Sequence, residues 1–299
     1  MVAHRAGPCQ AVADEAGACL HNASVGPAYR AALQAALEIP GNILSPDPDA
    51  RWARLVWTCC SAAGGAWTAA VPVAAAVELF MVALDLLDDE EDGEDNPLRA
   101  QLGAGPALNV STGLLFLAQH CLLAAHGGRA VRCLLDAGMR ACSGQHADLC
   151  VPPGRAVGLQ DALDVTAAKA APLVAAVCGL GAGVAGASDE AQERYAHFGW
   201  HVGMVAQLAH DIMALRPDAV GKTDVLLRRP TLPVVSALLQ HSTAAGATGD
   251  DQTAPWTSSG VYLTWAVAET YRRHAVALLP GLTDNAESSA ALAGLLDVL

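Results

Sequence analysis

Apolar residues recur about every three to four positions through most of the chain, which is the period of an amphipathic α-helix. Gly and Pro separate these segments, and the strict alternation typical of β-strands is hard to find. The predicted helices cover residues 28–38, 49–63, 68–92, 104–126, 129–150, 158–186, 188–215, 230–241, 257–279 and, more weakly, 284–297. The pattern therefore predicts an all-α protein.

The domain organisation follows from the same pattern. Residues 1–25 are small and polar with weak periodicity, and we expect a flexible leader there. Residues 26–299 show no internal repeat and no convincing boundary, and their one low-complexity loop runs from 241 to 260. Long apolar helices joined by short loops favour a single-domain bundle of about ten or more helices around a central apolar cavity.

Composition narrows the class of partner. The chain has 299 residues, 53% of them hydrophobic, and a formal net charge of −13, which argues against binding nucleic acid or an anionic membrane. It does not argue against a phosphorylated substrate, because a bound metal ion can invert the local charge. The nine cysteines form no CxxC pair, so they are expected to be core residues in a reducing cytoplasm.

The sequence predicts neither a signal peptide nor a membrane span. The N-terminal segment has no apolar core typical of a signal peptide. Residues 68–87 are the most membrane-like window, but Pro72, Glu78 and Asp85 interrupt it. We expect a cytoplasmic protein with no membrane span.

The stretch ALDLLDDEEDGEDNP, residues 83–97, holds eight carboxylates and no Lys or Arg. Four of them lie at i, i+3, i+4 and i+7 and therefore share one helix face: Asp85, Asp88, Asp89 and Asp92. Like charges at this spacing destabilise a helix, and the dipole at its C-terminal end also disfavours anions. One interpretation is simply a solvated acidic helix end.

Two metal sites are the alternatives for this stretch. A calcium loop beginning at Asp88 fails, because position 12, which needs a bidentate Glu, is Arg99, and Pro97 lies inside the loop. A magnesium site fits better, since Mg²⁺ takes carboxylate oxygens, keeps several waters and bridges to substrate phosphates.

Four further segments follow in order: GQHADL at 144–149, Lys169, QLAHDIMA at 207–214 and KTDVLLRRPTLPVV at 222–235. With the acidic helix, they resemble the motifs of the trans-isoprenyl diphosphate synthases, the polyprenyl synthetase superfamily. The resemblance runs from about Glu78 to Val235 and implies the all-α isoprenoid synthase fold over residues 26–299.

The resemblance also implies roles for individual residues. Asp88, Asp89, Asp92 and Asp211 would be catalytic carboxylates that bind Mg²⁺, joined as metal ligands by Asp224 and Gln207. The leaving diphosphate of an allylic prenyl diphosphate substrate would be held by Lys169, Lys222, Arg99 and Arg216. Lys169 and Lys222 are the only two lysines of the chain, and both lie in the matching segments. A homodimer is expected, as in the family.

The sequence departs from the family in its second aspartate-rich motif. Where the family has DDxxD, this chain has His210-Asp211-Ile212-Met213-Ala214. A neutral imidazole is a poor ligand for Mg²⁺, so we expect His210 to be packed or hydrogen-bonded rather than a metal ligand.

A second departure concerns the isopentenyl diphosphate site. In place of the family's basic segment the chain has EIPGNILSPDPDARWARL, and in GEDNPLRAQLG, directly after the first motif, Arg99 is the only cation. This pattern favours the family's terpene-cyclase-like (type IB) members, which lack that site. The predicted activity is ionisation and cyclisation of geranylgeranyl or farnesyl diphosphate to a terpene. The alternatives are a prenyltransferase that uses isopentenyl diphosphate or another acceptor, and a non-catalytic subunit.

The apolar cavity would shield an allyl cation from water, and aromatic faces would stabilise it. Ala83, five residues before Asp88, lies where the family sets chain length, and its small side chain favours a long substrate. The predicted cavity residues are Ala83, Leu84, Phe116, Gln145, Phe198, Trp200 and Trp265.

Overall fold

The computed structural model describes residues 7–94, 96–151, 157–215, 231–243 and 258–297, and the described chain is all-α. Its helices are α1 Pro8–Asn22, α2 Pro27–Leu37, α3 Arg51–Ala62, α4 Trp67–Asp92, α5 Pro97–Leu102, α6 Ala104–Leu149, α7 Leu159–Lys169, α8 Ala171–Val184, α9 Asp189–Met213, α10 Leu232–Thr243, α11 Ser258–Leu278 and α12 Ala286–Ala293. The described residues form no β-strand, only an isolated bridge between Gly41 and Pro48. The predicted fold class is confirmed.

Helix α4 lies at the centre of the bundle and packs against α1, α3, α6 and α8. Its residues from Val73 to Ala83 are all buried, and four of these eleven are alanines. Small side chains on every face let several helices approach one helix closely, while the apolar surface they remove from water stabilises the bundle. The acidic end of α4 then emerges from this core.

Helices α8 and α9 form another close pair, and α9 carries Asp211 near its C-terminal end. At Gly199 a Cβ atom would lie 2.6 Å from the carbonyl oxygen of Val174, so only glycine permits this approach. The contact fixes the distance of α9 from the helix that follows Lys169.

The break predicted between residues 126 and 129 is confirmed inside α6. Gly127 has φ 80 and ψ −179, a conformation that L-residues rarely adopt, and the helical dihedrals resume after it. Two helical segments therefore run through Ala104–Leu149 with a kink between them, and the GQHADL segment ends the second one.

The prediction of a single helix over residues 158–186 is wrong. The structure has two helices, α7 and α8, which meet at Ala170. Pro172, in the first turn of α8, lacks an N–H to continue the hydrogen bonds of α7, and its ring crowds the preceding turn. Lys169 therefore ends a helix instead of lying in the middle of one.

The leader also differs from expectation, since residues 8–22 form helix α1. Its buried residues, Val12, Ala13, Ala16 and Leu20, belong to the main core and pack with α4. The apolar stripe is made mostly of small residues, which explains why its periodicity is weak in the sequence.

Three helical stretches have the length and hydropathy of membrane spans by composition alone: Trp67–Asp92, Ala104–Leu149 and Leu159–Val184. In Trp67–Asp92, 72% of the most apolar window is buried inside the protein itself. Burial against neighbouring helices accounts for this apolar character, and the absence of a membrane span stays a prediction.

Candidate active site

Helices α3, α4, α7, α8 and α9 enclose a pocket of about 450 Å³. Seven carboxylates line it: Asp85, Asp88, Asp89, Asp92, Glu94, Asp148 and Asp211. The cationic side chains among its described lining residues are Arg51, Arg54 and Lys169. This excess of negative charge, next to apolar walls such as Val174 and Val202, is suited to a cation-bound anion with an apolar tail.

The acidic face of α4 is the part of the site that the sequence predicted best. All four aspartates that share the face, Asp85, Asp88, Asp89 and Asp92, line the pocket. Asp211 reaches the same pocket from α9 and is 4% exposed. The structure thus brings together two acidic elements that lie more than a hundred residues apart in the chain.

Side-chain amides hold three of these carboxylates in place. Asn96 Nδ2 donates to Asp89 Oδ2 at 3.2 Å, and Gln145 Nε2 donates to Asp92 Oδ1 at 3.1 Å. Gln207 Nε2 donates to Asp211 Oδ1 at 2.9 Å. An amide N–H carries no net charge, so these hydrogen bonds orient the aspartates without neutralising them.

Asn96 was not predicted, and its position has a local cause. Its side-chain oxygen accepts hydrogen bonds from the backbone N–H groups of Leu98 and Arg99, which makes it the N-cap of α5. The same side chain binds Asp89 through its nitrogen. Asn-Pro followed by a short helix is an N-cap signal that was present in the sequence.

Lys169 lies within the acidic group, as the resemblance implied. Its Nζ is 3.2 Å from Asp148 Oδ2 and 3.9 Å from Asp88 Oδ1. Burial alone would lower the pKa of Lys169, but the negative charges of Asp88, Asp148 and Asp92 outweigh it and raise the pKa. The ammonium therefore stays charged at neutral pH, as a diphosphate ligand must.

The donors fit Mg²⁺ rather than a metal that needs a closed cage. Among the described residues, no three His, Cys, Asp or Glu side chains converge closely enough to hold a metal by themselves. Mg²⁺ typically takes one or two carboxylates and completes its shell with waters and substrate phosphates. Gln145 Oε1, beside Asp92, is buried with no hydrogen-bond partner, so it offers an acceptor to such a water.

Sequence reasoning missed two arginines of the pocket. Arg51 and Arg54 lie one turn apart in the first turns of α3 and line the same pocket as the aspartates. The segment EIPGNILSPDPDARWARL has no lysine, and we expected it to lack the basic cluster of the family. A pair of arginines at i and i+3, just after a Pro-rich loop, was the signal that could have found them.

Trp52, between these arginines, is the one Trp, Tyr or Phe among the described residues that line the pocket. Its Nε1–H is buried and has no acceptor. Aromatic character in this pocket therefore comes from the arginine-bearing helix and not from the helices where it was expected.

The predicted cavity set was wrong for this pocket, since none of its seven residues is among those that line it. Phe116 and Trp265 are 68% and 52% exposed, on the outer faces of α6 and α11. Phe198, Ala83 and the partly buried Leu84 pack in the main core.

The two remaining residues of the predicted cavity set, Trp200 and Gln145, contact other groups. Trp200 stacks edge-on against Tyr271 of α11, with ring centroids 5.6 Å apart. Gln145, which was expected to face the substrate, donates a hydrogen bond to Asp92 of the pocket. Helical periodicity shows that a face is apolar, but it does not say which neighbour the face meets.

The other predicted diphosphate ligands fall outside the pocket or outside the described residues. Arg99 does not line the pocket; its Nη1 binds Glu90 Oε2 at 3.2 Å. Arg216, Lys222 and Asp224 lie outside the described residues. His210 is exposed on α9 and lines the pocket beside Asp211, so it is not packed in the core; the alternative expectation, a hydrogen-bonded side chain that is not a metal ligand, stays a prediction.

An all-α bundle in which aspartates of two helices and a partly buried lysine line one pocket has the architecture of the isoprenyl synthases. The chain superposes on a polyprenyl synthetase from Streptomyces coelicolor A3(2) with a TM-score of 0.79 and 24% identity, covering 98% of this chain and 97% of the other. That likeness establishes the fold.

Sequence comparison establishes the family. The chain is 32% identical to a (2E,6E)-farnesyl diphosphate synthase of Mycobacterium tuberculosis over 249 residues, covering 74% of this chain and 69% of the relative. It is 33% identical to a geranylgeranyl diphosphate synthase of the same organism over 207 residues, covering 64% of this chain and 59% of that one. Residues 52–252 match the family described as Polyprenyl synthetase, and the chain belongs to that family.

Proposed function

We propose that this protein is a Mg²⁺-dependent prenyltransferase that joins an allylic prenyl diphosphate to isopentenyl diphosphate. The observation that carries the proposal is the composition of one pocket. The aspartates of α4 and α9 with Lys169 suit one diphosphate, and Arg51 and Arg54 of α3 suit a second. The relatives, named as prenyl diphosphate synthases, support it as well.

The first expectation, a terpene cyclase without an isopentenyl diphosphate site, rested on the supposed loss of basic residues. The two arginines remove that reason, because guanidinium groups bind phosphate oxygens in a bidentate manner and do not require lysine. The prenyltransferase alternative therefore fits the pocket better.

In the proposed reaction the allylic C–O bond breaks first, and diphosphate leaves with the electron pair. Mg²⁺, when bound, neutralises charge that develops on the leaving oxygens. Asp88, Asp92 and Asp211 would supply its carboxylate ligands, and the Lys169 ammonium would bind the diphosphate directly.

The second step forms the carbon–carbon bond. Arg51 and Arg54 hold the diphosphate of isopentenyl diphosphate so that its double bond faces the allyl cation. The π electrons form the new bond, and a proton leaves the adjacent carbon for an oxygen of the departing diphosphate. The apolar walls from Val174 and Val202 keep water from the cation meanwhile.

The test is a product assay with Mg²⁺ and dimethylallyl, geranyl or farnesyl diphosphate, each with and without radiolabelled isopentenyl diphosphate. The expected result is a labelled, longer prenyl diphosphate that forms only when both substrates are present. Hydrocarbon formed from an allylic diphosphate alone would instead support cyclisation. No turnover of any combination would support the non-catalytic subunit.

We also propose a homodimer that forms through the outer face of α6. Leu108, Phe116 and Leu123 are large apolar side chains, each at least half exposed, and they lie within one face of the first segment of this helix. Light scattering should give a dimer for the wild type and a monomer for Phe116→Asp. A monomeric wild type would contradict the proposal.

A further inference from the structure

Glu78 is a buried carboxylate that the reaction as described does not use. It lies on α4, ten residues before Asp88, is 4% exposed and does not line the pocket. Its Oε1 accepts a hydrogen bond of 2.7 Å from the backbone N–H of Ala53, in the first turn of α3. Burial of a carboxylate costs desolvation free energy, which a hydrogen bond such as this one to α3 can offset.

Helix α3 needs this contact because it has no cap of its own. Its N-cap residue, Ala50, provides no side-chain hydrogen bond and has a left-handed backbone with φ 47. The first N–H groups of a helix lack partners inside the helix, and a carboxylate there also meets the positive end of the helix dipole. Glu78 thus caps α3 from a different helix.

The capped turn is the one that brings cationic groups to the pocket. Arg51 is the first residue of α3, Trp52 the second and Arg54 the fourth, and all three line the pocket. The side chain of Arg51 pairs with Asp49 at 3.5 Å, and because both side chains are exposed this pairing restrains it weakly. The backbone bond to Glu78 therefore adds a polar contact of fixed geometry to the apolar packing that holds α3 against α4 and α8.

We propose that Glu78 is a positioning residue that fixes the arginine-bearing turn of α3 relative to the aspartates of α4. It would set the spacing between the two diphosphates, since α4 carries one group of ligands and caps the helix that carries the other. Its effect falls on the second substrate, isopentenyl diphosphate. This inference rests on the proposed prenyltransferase function.

The first experiment measures binding without turnover. Isopentenyl diphosphate is titrated into the full-length protein by calorimetry, in EDTA and without allylic substrate, so that the arginines act alone. Glu78→Gln keeps an oxygen for Ala53 but loses the charge, and we expect about 3- to 10-fold weaker binding. Glu287→Gln, the same change in the exposed first turn of α12, is the control and should bind as the wild type does.

A double-mutant cycle with Arg54→Ala separates positioning from general stability. If Glu78 acts through the turn, Glu78→Gln should weaken binding much less in the Arg54→Ala background than in the wild type. Equal losses in both backgrounds, or unchanged binding by Glu78→Gln alone, would overturn the inference. A wild type that does not bind isopentenyl diphosphate at all would instead count against the proposed function.

The pH profile gives a second readout. Burial raises the pKa of Glu78 to about 7, against the lowering effects of the Ala53 N–H and Arg51. The other charged or titratable groups that act on it or on its surroundings are Asp49, Asp85, Cys9 and Arg54. Wild-type binding should strengthen relative to Glu78→Gln as pH rises through about 7, because the carboxylate then becomes charged. The diphosphate titrates equally in both proteins, so a constant ratio would contradict the inference.

Discussion

The end of α4 and the start of α3 form two walls of one pocket, but they differ in how their charge is arranged. On α4, four aspartates lie within eight residues on one helix face and repel one another, and the Lys169 ammonium of α7 lies beside them. On α3, two arginines lie on an otherwise apolar helix and act together because Glu78 of α4 holds their turn.

This difference shows that some binding residues can be recognised from the sequence, whereas others can be recognised only from the folded structure. Carboxylates clustered in successive helix turns do little to stabilise a fold, so they directly indicate a metal-binding site. Two arginines near a loop are common on protein surfaces, and only the fold shows that these two face a pocket.

The largest expected effect belongs to the acidic wall. Asp88→Ala removes a carboxylate that lies near Lys169 and in the pocket, and we expect turnover to fall by on the order of 10³-fold. Steady-state rates at saturating Mg²⁺ and both substrates would measure it. Glu91→Ala, an exposed carboxylate of the same helix end that does not line the pocket, is the matched control and should change the rate little.

Retention of activity in Asp88→Ala with unchanged dependence on Mg²⁺ would contradict the comparison. The acidic wall would then be the solvated helix end that its sequence also permits.

The sequence supported the fold and the acidic wall because both depend on local patterns. The period of the apolar residues and the positions of Gly and Pro predict most helices, including the break at Gly127. The spacing of the aspartates predicts that they share one helix face. Lys169 was located only through the resemblance to a family, since one lysine has no periodicity.

The remaining site could not be predicted because it depends on which helix faces meet. Phe116 and Phe198 both follow helical spacing, yet one is exposed and the other is fully buried in the core. The orientation of each helix is set by its neighbours, as in the close contact at Gly199. The residues that line the cavity could therefore be identified only from the packed structure.

The next effect concerns the arginine wall. Arg54→Ala should raise KM for isopentenyl diphosphate by about 10-fold, because it removes charge-assisted hydrogen bonds to one diphosphate. KM for the allylic substrate should stay within about twofold, since its diphosphate is bound at the acidic wall. Arg132→Ala, on an exposed position of α6, controls for loss of one positive charge. Equal increases in both KM values would mean that the two walls are not separate subsites.

A smaller effect is expected at the altered second motif. His210 lines the pocket next to Asp211, but a neutral imidazole is a weak ligand for Mg²⁺. His210→Ala should lower turnover by about threefold or less, while Asp211→Asn should cost on the order of 100-fold by removing a carboxylate ligand. The Mg²⁺ concentration at half-maximal rate should rise only in Asp211→Asn. If both variants shifted it equally, His210 would belong to the metal site.

The smallest effect should come from substitution of Arg99. Arg99 and Arg54 are both exposed and both lie near the start of a helix, so the two can be compared directly. Arg99 is the third residue of α5 and binds Glu90, whereas Arg54 lines the pocket. Arg99→Ala should leave both KM values within about twofold and lower stability by less than about 1 kcal/mol, as for other exposed ion pairs. Steady-state kinetics and thermal unfolding would measure these two quantities. A tenfold rise in KM for either diphosphate would show that Arg99 reaches substrate after all, as its place in the sequence suggested, and the arginine wall would then extend beyond α3.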